Sequence, residues 1–318
     1  MIAILTNDGF LKIDKVKNYF SNNIDYDWKI YTSFDSMLED KDKIDIILNS
    51  LELDGNKIKE FNNLKWVFSY SAGIDNYPLK ELDEIKVTLT NVSGVHSKNI
   101  SEQVLGIMIM FSRNLFQAIK NQENRLYKKY HIDELYSKNL MIIGMGKVGR
   151  ELARRAKAFD MNITGIRNHV EKGSEEKYFD QVYSTDTLDQ HLNNQDYIVS
   201  ILPSTDKTKK LYNYDKFSLM DSKSIFINVG RGDAVVEEDL IKALENGIIK
   251  GAYIDVSEME PIPEDSPLWD TKNLFITPHI SGSTPYYFDR AIKIFKENLN
   301  RYKNGEKLIN KIDYKDMY

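Results

Sequence analysis

Three segments in the second half of the chain carry side chains that could bind an anion and move a proton. They read NVGRGD, SEMEP and TPHISG, and each follows a short apolar run typical of a buried strand. The carboxyl ends of parallel strands meet at one edge of a sheet, where open α/β folds bind their ligands. A guanidinium there can bind a carboxylate through two hydrogen bonds, and a histidine can donate and recover a proton near neutral pH. The segments therefore offer an arginine, a glutamate and a histidine for one site.

A glycine pattern precedes these segments. Gly144, Gly146 and Gly149 follow the strand-like run LMII and open a helical stretch, in the spacing G-x-G-x-x-G. The first glycine allows a tight turn, the second lets backbone approach a pyrophosphate, and the third lets helix pack close to strand. The N–H groups of Lys147 and Val148 would then face the phosphates at the positive end of the helix. The pattern predicts dinucleotide binding, and the alternative is a purely structural glycine turn.

The next strand-like run, NITGI, ends at Arg167, where this fingerprint commonly has an acidic residue for the ribose of NAD. A carboxylate there repels a 2′-phosphate, whereas a guanidinium binds it through charge-assisted hydrogen bonds. Arg167 therefore predicts NADP as the preferred cofactor, with NAD as the second choice. The alternative is a solvated arginine at the strand end, since Asn168 could serve a ribose hydroxyl and Glu171 lies nearby in sequence.

Two series of strand-like runs position these motifs. The first contains IAIL, DIILNS, KWVFSY and VTLTNV, and the second contains LMIIG, NITGI, YIVSIL, SIFINV, GAYIDV and LFIT. Because charged amphipathic segments separate the runs, the pattern is typical of βαβ units and two parallel sheets. Between the series, the stretch 100–119 is apolar on most sides, which predicts one buried helix capped by Asn99 or Ser101. A last amphipathic helix, with Pro285 at its start and Gly305 near its end, is predicted to pack on the first domain.

Length and composition limit the class of protein. A chain of 318 residues, 42% of them hydrophobic, is long enough for two cores, and a net charge of −5 argues against nucleic acid or an anionic membrane as partner. The absence of cysteine excludes disulfides and thiolate chemistry, and no apolar run approaches the length of a membrane span. The N-terminus is typical of a first strand rather than a signal peptide, so a cytoplasmic location is predicted. No cluster of histidines and carboxylates has metal-ligand spacing, so no metal is expected.

The chain resembles the D-isomer-specific 2-hydroxyacid dehydrogenase family over nearly its whole length. The motifs that carry the resemblance are YSAGIDN, the glycine fingerprint, LPSTDKT, NVGRGDAVVEEDL, DVSEMEPIPEDSPLW and TPHISG. The resemblance implies an α/β protein with two doubly wound parallel-sheet domains. A Rossmann NAD(P)-binding domain would span 99–284, and a smaller flavodoxin-like substrate domain would combine 1–98 with 285–318. Substrate would lie in a cleft between them, and the resemblance together with the apolar stretch 100–119 favours a homodimer.

Three matched residues would carry the chemistry. Arg231 resembles the family's substrate-binding arginine, which would bind the carboxylate of a 2-oxo acid and polarise its carbonyl. His279 resembles the acid/base, which gives a proton to the ketone oxygen as hydride reaches carbon. Glu260 resembles the catalytic glutamate, whose charge favours the imidazolium, and Glu258 is its less favoured neighbour. His96 could border the cleft. The remaining histidines are interpreted as surface or internally bonded residues: His131, His169 and His191.

The resemblance assigns further positions to ligands. Asp255 resembles the residue that accepts a hydrogen bond from the nicotinamide carboxamide, and its alternative role is a cap at a strand end. Small Ala72 and Gly73 would let backbone N–H groups reach the substrate carboxylate, with a plain glycine turn as the alternative. The other cofactor positions would line the adenine and both riboses: Leu202, Pro203, Thr208, Val229 and Gly230.

The resemblance implies NAD(P)H-dependent reduction of a small 2-oxo acid to a D-2-hydroxy acid. The context of Arg167, and Trp269 in the stretch SPLW, favour a glyoxylate/hydroxypyruvate reductase. A phosphoglycerate dehydrogenase is the main alternative enzyme. The alternative outside the enzyme class is a dinucleotide-sensing corepressor of the C-terminal-binding-protein group, which acts by protein association.

Overall fold

The computed structural model describes residues 1–74, 76–168 and 176–314. The chain forms two compact units, Met1–Val95 with Thr284–Tyr318, and His96–Ser283. The domain bounds predicted from the sequence were 1–98 with 285–318 for the substrate-binding domain, and 99–284 for the dinucleotide-binding domain. The binding functions assigned to the two domains stay predictions. His169, Glu171 and the Asp75 of the SAGIDN motif lie outside the described residues.

The described residues alternate strands and helices along most of the chain. The strands are β1 (Ile2–Leu5), β2 (Trp28–Tyr31), β3 (Ile46–Asn49), β4 (Trp66–Ser69), β5 (Thr88–Thr90), β6 (Asn139–Ile143), β7 (Asn162–Arg167), β8 (Gln181–Ser184), β9 (Tyr197–Ser200), β10 (Ile225–Asn228), β11 (Gly251–Ile254) and β12 (Leu274–Ile276). The helices are α1 (Ile13–Asn23), α2 (Phe34–Met37), α3 (Leu79–Glu84), α4 (Ser97–Ser112), α5 (Leu115–Glu123), α6 (Lys147–Ala156), α7 (Tyr214–Ser218), α8 (Glu237–Glu245) and α9 (Tyr287–Lys303).

The first unit contains a parallel sheet whose described strands have the order β2-β1-β3-β4-β5. This is the strand order of a flavodoxin-like doubly wound fold. β1, β3 and β4 are buried along their whole length, as expected for parallel strands covered on both faces. The helix α9 packs on this sheet, and its fully buried Phe295 stacks on Trp66 of β4 at 5.3 Å between ring centroids. Burial of such a side chain contributes about 1.5–3 kcal/mol to folding.

The second unit contains a parallel sheet with the order β12-β11-β10-β9-β6-β7-β8 among its described strands. The order from β8 to β11 is that of a Rossmann fold, with β12 added at the edge. The chain reverses its direction of travel across the sheet between β6 and β9. Ligands bind at such a switch point in doubly wound folds, and the glycine pattern directly follows β6.

The stretch 100–119 forms two helices rather than the single helix predicted. Asn114, between α4 and α5, has a left-handed φ of 49°. Asparagine tolerates this conformation, and the chain changes direction there. The cap prediction was also wrong, because α4 begins at Ser97, so that Asn99 and Ser101 lie inside the helix.

Two strands, β2 and β8, were not predicted. Each is an edge strand of its sheet and is partly exposed, so neither shows a continuous apolar run. Edge strands carry polar residues on the uncovered side, which hides them from a search for buried runs.

Within the described residues, none of the helices has the length and apolar character needed to cross a membrane.

Candidate active site

The glycine turn joins β6 to α6 at the switch point. Gly144 has a φ of +107°, which glycine alone adopts without strain, and a Cβ there would lie 2.7 Å from the carbonyl oxygen of Ile201. The N–H of Gly144 donates to the carbonyl oxygen of Ile166, in β7, at 3.0 Å. The turn is therefore packed against the ends of both neighbouring strands.

The other two glycines serve different purposes. A Cβ on Gly149 would collide with the carbonyl oxygen of Gly144, so glycine is needed there for the close approach of α6. A Cβ on Gly146 would meet no described protein atom within 4 Å, so this residue borders open space in front of the helix. Lys147 begins α6, and burial lowers the pKa of its ammonium group. Open space at the positive end of a helix fits a pyrophosphate, so these residues could hold the predicted dinucleotide.

Gly146→Ala is expected to weaken dinucleotide binding without unfolding the second unit. The backbone at Gly146 has φ −73° and ψ −162°, which alanine adopts, and the added methyl group would enter only ligand space. In an equilibrium fluorescence titration, the affinity for NADPH should fall by at least about 10-fold while the melting temperature stays unchanged. Gly149→Ala is the matched contrast, because its methyl group collides with backbone and should lower the melting temperature. Wild-type affinity in Gly146→Ala would contradict the assignment.

Arg167 ends β7 as predicted, but a carboxylate lies against it. Its Nη1 donates to Oε1 of Glu176 at 2.5 Å. Arg150 of α6 donates to the same carboxylate, from Nη2 at 2.8 Å and from Nε at 3.2 Å. The hydrogen bond from Arg150 is the main cause that lowers the pKa of Glu176. This glutamate was not predicted, because it precedes β8, a strand without a recognisable pattern in the sequence.

The loops that follow β9 and β10 touch through their backbones. A Cβ on Gly230 would lie 2.5 Å from the carbonyl oxygen of Leu202, and the side chains of Leu202 and Val229 are buried. The hydroxyl of Thr208 donates to the carbonyl oxygen of Pro203 at 2.6 Å, which closes its own loop. All five residues follow strands at the carboxyl edge of the sheet. Their contacts with a cofactor stay predictions.

Arg231 follows β10 on a loop that a fully buried asparagine holds. Asn228 donates from Nδ2 to the carbonyl oxygen of Arg231 at 2.9 Å, and its Oδ1 accepts from the N–H of Gly230 at 3.1 Å. A Cβ on Gly232 would collide with the carbonyl group of Ser257, so this loop touches the loop after β11. The role of Asn228 was not predicted, although an amide side chain at the end of a buried strand was an available signal.

Glu260 and His279 form a hydrogen-bonded pair on the neighbouring loops. Oε2 of Glu260 lies 2.8 Å from Nδ1 of His279, and the N–H of Ser257 donates to Oε1 at 3.1 Å. The side chains of His279 and Glu260 are 53% and 39% exposed, so a ligand can reach both. Because the Arg231 loop touches Ser257, the three residues predicted for the chemistry lie on adjacent loops of one sheet edge. Glu258, the less favoured neighbour, is exposed.

Asp255 holds the loop that carries His279. The backbone at His279 has a left-handed φ of 51°, which costs about 1 kcal/mol outside glycine, and its N–H donates to the carbonyl oxygen of Asp255 at 2.8 Å. The buried Asp255 carboxylate accepts hydrogen bonds from the Thr277 hydroxyl at 2.5 Å, the Ile280 N–H at 3.0 Å and the Ser281 N–H at 2.9 Å. These contacts are those of a cap at the strand end. A contact with the carboxamide stays a prediction.

A buried tyrosine links this loop to α4. The hydroxyl of Tyr253 lies 2.6 Å from Oγ1 of Thr277 and accepts a hydrogen bond from Nε2 of Gln103 at 3.2 Å. Burial raises the pKa of Tyr253 to about 12, so its hydroxyl keeps its proton at neutral pH. Neither Tyr253 nor Gln103 was singled out by sequence analysis, because each lies within an apolar segment that predicted only core packing.

The start of α4 holds the far end of the same loop. Nδ1 of His96 lies 2.7 Å from the carbonyl oxygen of Gly282, and Nδ2 of Asn99 donates to the carbonyl oxygen of Ser281 at 2.8 Å. His96 is therefore in contact with the loop that carries His279, within its own unit. Its predicted position at the border of a cleft stays a prediction.

Ala72 and Gly73 lie in the first unit, on the loop after β4. Nδ2 of Asn91 donates to the carbonyl oxygen of Ala72 at 2.7 Å, and the hydroxyl of Tyr287 donates to the carbonyl oxygen of Tyr70 at 2.7 Å. These hydrogen bonds hold the loop on the sheet of its unit. The role of Ala72 and Gly73 in substrate binding stays a prediction.

Known proteins share the sequence and the fold of this chain. Residues 105–281 match the family model described as D-isomer specific 2-hydroxyacid dehydrogenase, NAD binding domain. A probable 2-ketogluconate reductase of Dictyostelium discoideum is 33% identical over 290 residues, which cover 89% of this chain and 83% of that protein. The chain belongs to the D-isomer specific 2-hydroxyacid dehydrogenase family.

This dehydrogenase is also similar to a glyoxylate/hydroxypyruvate reductase B of Shigella dysenteriae, which is 29% identical over 278 residues, 86% of this chain and 82% of that protein. A D-isomer specific 2-hydroxyacid dehydrogenase family protein from Aeromonas salmonicida has the same fold, with a TM-score of 0.79 and 31% identity over 98% of both chains. The predictions of the family and of the fold class are confirmed. The protein is an NAD(P)-dependent D-2-hydroxyacid dehydrogenase.

Proposed function

We propose that this dehydrogenase reduces small 2-oxo acids, above all glyoxylate and hydroxypyruvate, with NADPH as the preferred reductant, and that chiral products have the D configuration. The observation that carries the proposal is the 2.8 Å contact between Nδ1 of His279 and Oε2 of Glu260. This pair lies on the sheet edge that also bears the glycine turn and Arg231. Reduction of a 2-oxo acid requires a proton donor, an anion-binding group and a dinucleotide site, and this edge offers all of them.

Each residue has a defined task in the proposed reaction. Arg231 binds the substrate carboxylate through its planar fork and places positive charge beside the carbonyl oxygen. Because Nδ1 of His279 is engaged by Glu260, Nε2 is the ring nitrogen that delivers the proton to that oxygen. The negative charge of Glu260 stabilises the imidazolium before the transfer. The reduced nicotinamide, when bound, supplies the hydride.

The names of two relatives support a small 2-oxo acid as substrate. One is a glyoxylate/hydroxypyruvate reductase B and the other a probable 2-ketogluconate reductase. Trp269, whose sequence context favoured the former, is about half exposed and donates from Nε1 to the carbonyl oxygen of Pro263 at 2.8 Å. Glyoxylate and hydroxypyruvate are therefore the first substrates to test.

A substrate panel tests the proposal. The protein is mixed with NADPH and glyoxylate, hydroxypyruvate or 2-ketogluconate, or with NADP⁺ and 3-phosphoglycerate, and the absorbance of the reduced nicotinamide is followed. We expect the highest kcat/KM with glyoxylate or hydroxypyruvate. Turnover of 3-phosphoglycerate alone would favour a phosphoglycerate dehydrogenase. Dinucleotide binding without turnover of any acid would favour the corepressor alternative.

A homodimer is also proposed, through a surface that includes the end of the stretch 100–119 and the segment after it. The apolar side chains Val104 and Met108 of α4 are buried in the core of their own unit. Large apolar side chains are instead exposed on α5 and the segment after it: Leu115, Ile119, Leu126, Ile132 and Tyr136. Such exposed apolar groups are typical of protein interfaces, and the family resemblance favours a second copy of the chain as partner. Sedimentation equilibrium should give twice the 37.0 kDa mass of one chain, and a monomeric wild type would contradict the proposal.

A further inference from the structure

Glu176 occupies a position between two arginines that an anionic ligand would favour. Both oxygens of its carboxylate accept hydrogen bonds from Arg150, and Oε1 also accepts from Arg167. The Glu176 side chain is 16% exposed, whereas those of Arg150 and Arg167 are 45% and 35% exposed. The side chains of the two arginines are thus more open to solvent than that of the glutamate.

The three charged groups lie directly beside the glycine turn. Arg150 donates from Nη1 to the carbonyl oxygen of Met145, inside the turn, at 2.6 Å. Arg167 is the last residue of β7, and its neighbour Ile166 accepts the hydrogen bond from the N–H of Gly144. In a Rossmann fold the ribose of the adenosine lies at this strand end, and a 2′-phosphate on it would lie near the guanidinium groups.

We propose that Glu176 acts as a built-in competitor of the 2′-phosphate, so that it sets how strongly the protein prefers NADPH over NADH. The inference rests on the proposed use of NADPH and deepens it. The 2′-phosphate displaces the Glu176 carboxylate and takes the hydrogen bonds of Arg150 and Arg167. NADH leaves Glu176 where it is, because a ribose hydroxyl has no charge with which to compete.

The charges at the site favour this exchange. Two guanidinium groups and one carboxylate leave a local charge of one positive unit. A phosphate monoester carries a charge of about −1.5 to −2 at neutral pH, so it neutralises the two arginines more completely than one carboxylate does. The phosphate and the Glu176 carboxylate cannot both remain, because two negative groups would then have to lie against the same two guanidinium groups. Glu176 then moves to solvent, and the free energy of breaking its hydrogen bonds reduces the affinity for NADPH.

Glu176→Gln is the variant that tests the inference, with binding as the readout. Equilibrium titrations with NADPH and NADH are compared, and adenosine 2′,5′-bisphosphate and adenosine 5′-monophosphate serve as fragments that differ by the 2′-phosphate. We expect the affinity of Glu176→Gln for NADPH and for the bisphosphate to rise by about 10-fold, with a change below about twofold for NADH and the monophosphate. Arg150→Met and Arg167→Met should each lower the affinity for NADPH more than the affinity for NADH.

Glu151→Gln is the matched control. Glu151 lies on α6 and is bonded to Arg154 and Arg155, so this substitution removes the same charge from another arginine-bound glutamate of the same region. It should change the affinity for NADPH by less than about twofold. An equal gain of affinity in Glu151→Gln would show a general charge effect and overturn the inference.

The remaining outcomes separate the inference from the proposed function. Equal gains for NADPH and NADH in Glu176→Gln, or weaker binding of NADPH, would overturn the inference while the dehydrogenase reaction stands. Unchanged NADPH binding in both Arg150→Met and Arg167→Met would also overturn it. Wild-type protein that binds NADH but no NADPH would contradict the proposed cofactor itself, and Glu176→Gln would then leave NADH binding unchanged.

Discussion

His279→Asn is expected to lower kcat for 2-oxo acid reduction by about 10³-fold, within the range that a positioned acid/base contributes. Asparagine has no acidic N–H that could replace Nε2 of the imidazole as proton donor. It does tolerate the left-handed φ of 51° at this position, so the backbone hydrogen bonds to Asp255 and Thr277 are retained. Steady-state kinetics with glyoxylate measure the loss. A parallel titration should show unchanged affinity for NADPH.

Two further variants serve as comparisons for His279→Asn. Glu260→Gln should lower kcat less than His279→Asn, because an amide still forms a hydrogen bond with Nδ1 but lacks the charge that stabilises the imidazolium. His131→Asn changes an exposed histidine and should alter kcat by less than about twofold. If His279→Asn kept wild-type kcat, the proton would come from another group and the proposed mechanism would be wrong.

Arg231→Lys is expected to lower kcat/KM for 2-oxo acids by about 10²- to 10³-fold. Lysine keeps the positive charge but loses the planar fork that binds a carboxylate with two hydrogen bonds. The loop should stay in place, because Asn228 binds the backbone at residues 230 and 231 rather than the side chain. Separate values of kcat and KM distinguish loss of carboxylate binding from loss of carbonyl polarisation.

A substrate without a carboxylate provides the internal test of this assignment. Wild type and Arg231→Lys should reduce a methyl ketone analogue at similar low rates, because this substrate has no carboxylate for residue 231 to bind. Arg301→Lys changes a partly exposed arginine of α9 and should leave kcat/KM within about twofold of wild type. A normal kcat/KM for glyoxylate in Arg231→Lys would place the carboxylate elsewhere.

The glycine turn shows how well a local motif predicts geometry. The geometry deduced from the spacing agrees with the structure, since Gly144 has a positive φ, Gly146 borders open space and Gly149 permits close packing. The approach of a pyrophosphate to Gly146 stays a prediction. All three roles depend on a few consecutive residues and on the absence of a side chain. Chain neighbours alone decide such features, so the spacing was sufficient to predict them.

The partner of Arg167 could not be predicted from the residues next to it in the chain. Its position at the end of β7 was predicted, and its hydrogen bond to Glu176 was not. Nothing in the sequence near Glu176 marks it as a partner of Arg150, because the contact forms only when the chain returns to the edge of the sheet. The proposed cofactor preference therefore depends on a carboxylate that the fingerprint does not contain.

The sequence by itself determined the family, the two parallel sheets and the residues proposed for the chemistry, because buried apolar runs and glycine spacing are read from neighbours in the chain. Tertiary structure decided which side chains meet. It brings Glu260 to His279, lets the Asp255 carboxylate accept hydrogen bonds from the loop that carries His279, and joins Gln103 to Tyr253 across 150 positions of sequence. The physical reason is that a hydrogen bond requires two groups within about 3 Å, and only the folded sheet sets that separation for residues far apart in the chain.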